Sequence, residues 1–125
     1  MNGILLVALG GALGSALRHG VNIGFSRLLG VGFPFGTLFV NVTGSLAMGL
    51  LIELVARRFG ASVELRLFLT TGFLGGYTTF SAFSLDAIAL YERGAVVAAA
   101  SYVLISVILS LAAVFAGLAL ARHMT

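Results

Sequence analysis

The stretch Thr70-Thr71-Gly72-Phe73-Leu74-Gly75-Gly76-Tyr77-Thr78-Thr79-Phe80-Ser81-Ala82-Phe83-Ser84 decides the fold. It sits within an uncharged run, residues 67–85, of about the 20 residues that a helix needs to cross the hydrocarbon core. A glycine pair and a run of hydroxyls at that depth are at odds with an ordinary spanning helix, because lipid offers no partner to a freed peptide group. Two outcomes are open. The helix kinks at Gly75-Gly76 and continues, or it breaks there and the loose backbone is covered by protein or lines water. The hydroxyls of Thr78, Thr79, Ser81 and Ser84 beside the glycines favour a break, expected over residues 75–79.

Outward from this stretch lie three more uncharged runs, 3–17, 33–52 and 95–121. Arg18 closes the first one early, but its long side chain can snorkel or turn into the bundle, so the helix is expected to continue to about Leu28. The spans are therefore read as 3–28, 34–56, 66–91 and 95–121, a single all-α, four-helix membrane domain. Composition agrees: 125 residues with 60% hydrophobic and 9% charged cannot cover a water-soluble surface. The first run has no basic residues ahead of it, as a cleaved leader would, and is expected to remain as a span.

Several function classes fall away. With no cysteine there is no thiol chemistry and no thiolate metal site. All seven basic residues are arginines, scattered singly or as one pair, which is not the stripe that nucleic acid requires. Four spans leave no soluble domain, His19 and His123 have no ligand partners at useful spacing, and the serines have no base in helical reach, so an enzyme is not expected.

Arg57, Arg58, Arg66 and Arg122 at one end face Arg27 and Arg93 at the other, a weak bias that allows either fixed insertion or insertion in both orientations. Small residues supply packing seams: Gly10/Gly14 and Gly20/Gly24 in the first span, Ala113/Gly117/Ala121 in the fourth. Tyr102, Ser106 and Ser110 form a second stripe on the fourth span that either glues helices or serves function. Thr37, Asn41 and Ser45 share one face of the second span. The Asn41 amide must either bond a neighbouring helix or present its N–H donors to a passing ion. Phe80 and Phe83, three apart, either pack in the core or offer positive ring edges to an anion.

Gly36-Thr37-Leu38-Phe39-Val40-Asn41, followed by Gly72-Phe73-Leu74-Gly75-Gly76-Tyr77-Thr78-Thr79-Phe80-Ser81-Ala82-Phe83-Ser84, resembles the Fluc/CrcB family of fluoride channels. The likeness takes in Gly14-Ser15-Ala16-Leu17-Arg18, the Arg93-Gly94 turn and the Tyr102/Ser106/Ser110 stripe, hence essentially the whole chain. It implies an antiparallel, dual-topology homodimer in a bacterial inner membrane, with two fluoride pores and a central sodium ion. By that resemblance the backbone carbonyls of Gly75 and Thr78 hold sodium. Asn41, Phe80, Ser81, Phe83, Tyr102 and Ser110 line the fluoride path, and Arg18 and Asp86 are vestibule candidates. Arg18 equally suits an anchor for its helix, and Asp86 a structural ion pair. Ala82 stands where some relatives carry a threonine, and Asp86 where relatives often have a glutamate. Two other readings stand beside this one. A proton-coupled small multidrug transporter requires a carboxylate in the first span, which has none, and a non-conducting assembly protein leaves Asn41 and the 75–83 pattern without a use.

Overall fold

A computed structural model describes residues 2–124 and is helical throughout, apart from short turns and one interruption inside the third span. α1 runs Gly3–Leu29, started by the Asn2 side chain, which accepts from Ile4 N–H at 2.8 Å, and ended by Gly30 at φ 78°. It passes through Arg18 without a break, as the sequence predicts. α2 is Phe35–Arg57, entered through Pro34. The third span opens as α3, Val63–Arg66, capped by the Ser62 hydroxyl, which accepts from Leu65 N–H at 3.2 Å. It widens into π turns over Leu67–Leu74 and closes as α4, Gly75–Tyr77. After the interruption come α5, Ser81–Glu92, and α6, Val96–Met124. α1, α2 and α6 are each long and apolar enough to cross a membrane, whereas the third span reaches that length only as the sum of its broken pieces.

The helices pair through backbone contact rather than interlocking side chains. α1 lies against the π turns, where a Cβ on Gly10 would stand 2.5 Å from Phe68 O and one on Gly14 would overlap Phe73 O. α2 lies along α6 with Gly49 and Gly117 facing each other, so that a Cβ on either would run into the other helix's backbone. Two small cores follow from this arrangement. Val40, Leu74 and Tyr77 fill the space between α2 and the third span, and Phe83, Leu90, Ala99 and Tyr102 fill that between α5 and α6. Among the described residues of the chain nothing lies within 4 Å of a Cβ at Gly20 or Gly24, so the expected seam there is not made by another helix of the same chain.

The two ends of the bundle are tied by arginines. At one, Arg57 and Arg122 both bond Glu53, at 2.8 and 3.1 Å, and Arg58 donates to Met124 O at 2.8 Å. At the other, Arg93 donates to Gly32 O and fastens the α5–α6 turn to the loop before α2.

The interruption falls within the expected 75–79 stretch but at its far end, past the glycine pair. Gly75 is helical, at φ −61° and ψ −37°, and the backbone leaves the helix at Thr78, at ψ 161°. Gly76 serves close approach instead, since its Cβ would lie 2.5 Å from Gly11 O and 3.0 Å from Ser15 Oγ.

Candidate ion pathway

A break at membrane depth frees peptide groups that need partners, and α1, α2 and the break's own threonines supply them. On the entering side, Leu74 O accepts from Thr78 N–H at 3.0 Å and from the Thr78 hydroxyl at 2.9 Å. Gly76 O accepts from Arg18 Nε at 3.0 Å, with Ser15 Oγ 3.4 Å away. Arg18 thus places its charge at the negative end of the half-helix, where a cation is favoured. On the leaving side, Asn41 grips Thr79 twice: its Nδ2 donates to Thr79 O at 2.9 Å and its Oδ1 accepts from Thr79 N–H at 2.8 Å. The Thr79 hydroxyl accepts from Ala82 N–H at 3.1 Å, which caps α5. Among the described residues, no backbone N–H at the break donates to the carbonyls of Gly75 or Thr78.

Beside the break lies a groove of about 490 Å³ formed by α2, α4, α5 and α6. It brings together Asn41, Gly75, Thr78, Phe80, Phe83 and Ser110, which the sequence scatters over 70 positions. Asn41 enters it with one amide N–H committed to Thr79 and, by its chemistry, a second one to offer. The rings of Phe80 and Phe83 stand 5.6 Å apart at 48°, the first 77% exposed and the second 9%. Ser45 shares the Asn41 side of the groove, as their spacing predicts, whereas Thr37 is buried away from it.

The remaining predicted residues lie elsewhere. Tyr102 is 0% exposed and does not line the groove. Its ring meets Phe83 at 5.2 Å and Phe33 at 5.5 Å, and its hydroxyl donates to Asp86 Oδ2 at 3.2 Å. Asp86 is accordingly engaged by a tyrosine rather than an arginine. Ser81 is exposed at the first turn of α5, outside the groove lining, and Arg18 meets the break from the α1 side. Sequence reasoning gave Ser106 no role beyond its stripe. Its buried hydroxyl has no hydrogen-bond partner among the described residues, and Ser106 lines the groove one turn from Ser110. The even spacing of that stripe was the only signal for it.

Residues 5–118 match the family described as CrcB-like protein, Camphor Resistance (CrcB). The chain belongs to the CrcB-like family. Among the relatives, one from Agrobacterium fabrum is 60% identical over 124 residues, covering 99% of each chain, and is named fluoride-specific ion channel FluC. Two more with that name are from Rhizobium etli, 64% identical over 118 residues and 94% of each chain, and Rhizobium meliloti, 60% identical over 124 residues and 99% of each chain. With three long apolar helices and the broken third span, this CrcB-like chain is a multi-pass membrane protein.

Proposed function

We propose that the chain forms a fluoride channel that lets cytoplasmic fluoride leave a bacterial cell passively across its inner membrane. The observation that carries this reading is the groove at the break, where Asn41, Phe80, Phe83 and Ser110 converge around the unpartnered Ser106 hydroxyl. Fluoride gives up a tightly held water shell only where fixed donors replace it, and it leaves again only if no single contact is too strong. The free amide N–H of Asn41, the hydroxyls of Ser106 and Ser110, and the positive ring edges of Phe80 and Phe83 supply weak, successive contacts of that kind. Ser81 and Arg18 serve the approaches. No carboxylate lines the groove, so nothing there couples anion movement to a proton.

In this reading two copies associate antiparallel. The exposed edge Thr71, Gly75, Phe80 and Ser81 supports the pairing, since it presents hydroxyls and broken backbone that lipid cannot satisfy. A central sodium ion suits the same edge. Among the described residues no backbone N–H at the break donates to the Gly75 and Thr78 carbonyls, and two copies would give four hard oxygens for a hard cation. Its contribution when bound is a fixed positive charge.

Fluoride release from liposomes containing the purified protein tests the function. The expected result is rapid fluoride efflux with chloride efflux no faster than from empty vesicles; equal chloride flux, or none of either, overturns it. Replacing sodium on both sides with a large organic cation is expected to lower fluoride flux, and unchanged flux after exhaustive exchange would remove the sodium ion from the account.

A further inference from the structure

Tyr77 is the last helical residue before the break, and the groove does not include it. Its ring is buried, stacks on Phe73 at 6.4 Å and 13°, and packs over Gly44, where an added Cβ would lie 3.1 Å from Tyr77 Cδ2. Its hydroxyl is 2.9 Å from Thr43 Oγ1. The direction of that bond follows from its neighbour. Thr43 Oγ1 donates its single proton to Phe39 O at 2.7 Å, so it accepts from Tyr77. The result is a relay from Tyr77 O–H to Thr43 O–H to the Phe39 carbonyl, ending on the backbone of α2.

α2 therefore holds the break on both sides of one residue. Thr43 fixes Tyr77 before it and Asn41 fixes Thr79 after it, while Thr78 between them bonds back only to Leu74 O of its own helix. The Thr78 methyl closes the gap from the side, because an added Cβ on Gly44 would overlap Thr78 Cγ2. We propose that Tyr77 is a positioning residue for the ion pathway: by donating to Thr43 it anchors the last helical turn before the break to α2, and so fixes where Thr78 enters the lining of the groove. The proposal rests on the reading of the break as part of that pathway, but its structural half can be tested alone.

Tyr77→Phe keeps the ring and its packing while removing the donor. Thr43→Val removes the acceptor at nearly constant volume, and Thr43→Ser keeps it. Amide hydrogen exchange on the purified protein in detergent reads the peptides covering residues 77–82, with α1 and α6 as internal references. The expected result is exchange about fivefold faster at the break for Tyr77→Phe and Thr43→Val, the factor of one ordinary hydrogen bond. Thr43→Ser should match the wild type, and the references should not move. Wild-type exchange at the break in Tyr77→Phe, or acceleration spread equally over α1 and α6, overturns the proposal. Fluoride flux in liposomes then tests the functional half, with a decrease expected in the two loosened variants and recovery in Thr43→Ser. Faster exchange with undiminished flux also overturns it, whereas a wild type without flux counts against the channel reading and leaves the exchange result standing.

Discussion

Gly75 and Gly76 are adjacent, both helical, and opposite in what they tolerate. A Cβ at Gly76 would lie 2.5 Å from Gly11 O, about 0.9 Å inside ordinary contact at 3.4 Å, and its other two neighbours, Gly11 Cα and Ser15 Oγ, stand at 3.0 Å. Two of these three are backbone of a continuous helix, so they yield only if α1 moves off the third span. That motion would also stretch the Arg18 and Ser15 contacts to Gly76 O. Overpacking of this kind costs about 1–3 kcal/mol. Loss of the charge-assisted Arg18 bond would add about 1.5–3 kcal/mol if the gap opened fully. For Gly76→Ala the expected destabilisation is about 2–4 kcal/mol. A Cβ at Gly75 would meet only Thr70 O, at 3.6 Å. Within one chain alanine is the better helix former, so Gly75→Ala should cost the isolated fold nothing, and any loss it shows belongs to the edge where the second copy and the sodium ion are proposed to sit. Reversible unfolding in mixed detergent micelles, followed by circular dichroism, compares the two with the wild type. Equal stability of Gly76→Ala and wild type would refute the assignment of the second glycine to close packing.

Arg18→Gln should lower stability by about 1.5–3 kcal/mol in the same assay, through the lost bond to Gly76 O. Arg18→Lys should not restore it, because the donor is the Nε within the guanidinium fork. Ser106→Ala should cost less than about 0.5 kcal/mol of stability, since the hydroxyl has no protein partner, while reducing fluoride flux in liposomes. Destabilisation without a change in flux would place that hydroxyl in the packing rather than in the pathway.

The long helices were legible because each is an uncharged run of spanning length, and Arg18 did not mislead, because its partner is a freed carbonyl inside the protein. The position of the break was less legible. A glycine pair reads as a weak point in a helix, but here Gly76 is demanded by a neighbouring backbone, and the helix ends at Thr78, beside a peptide that Asn41 grips from 38 positions away. No local signal carries a bond of that length. The same limit explains Tyr102, whose stripe with Ser106 and Ser110 suggests one shared face. The bulk of Phe33 and Phe83 draws its ring into a separate core, and Asp86 takes its hydroxyl. Gly20 and Gly24 show the converse, a packing motif with no helix of the same chain opposite it among the described residues.

The claim that the groove at the break carries the anion is tested most directly at Phe83, whose ring is buried in it beside Phe80. Initial fluoride efflux from liposomes is measured for the wild type and for Phe83→Ile, which keeps the site apolar and filled but removes the ring edge. The account predicts that the variant folds and inserts normally and loses at least about tenfold in flux, the factor that corresponds to roughly 1.4 kcal/mol of lost ion stabilisation. Wild-type flux through a folded Phe83→Ile channel would contradict it.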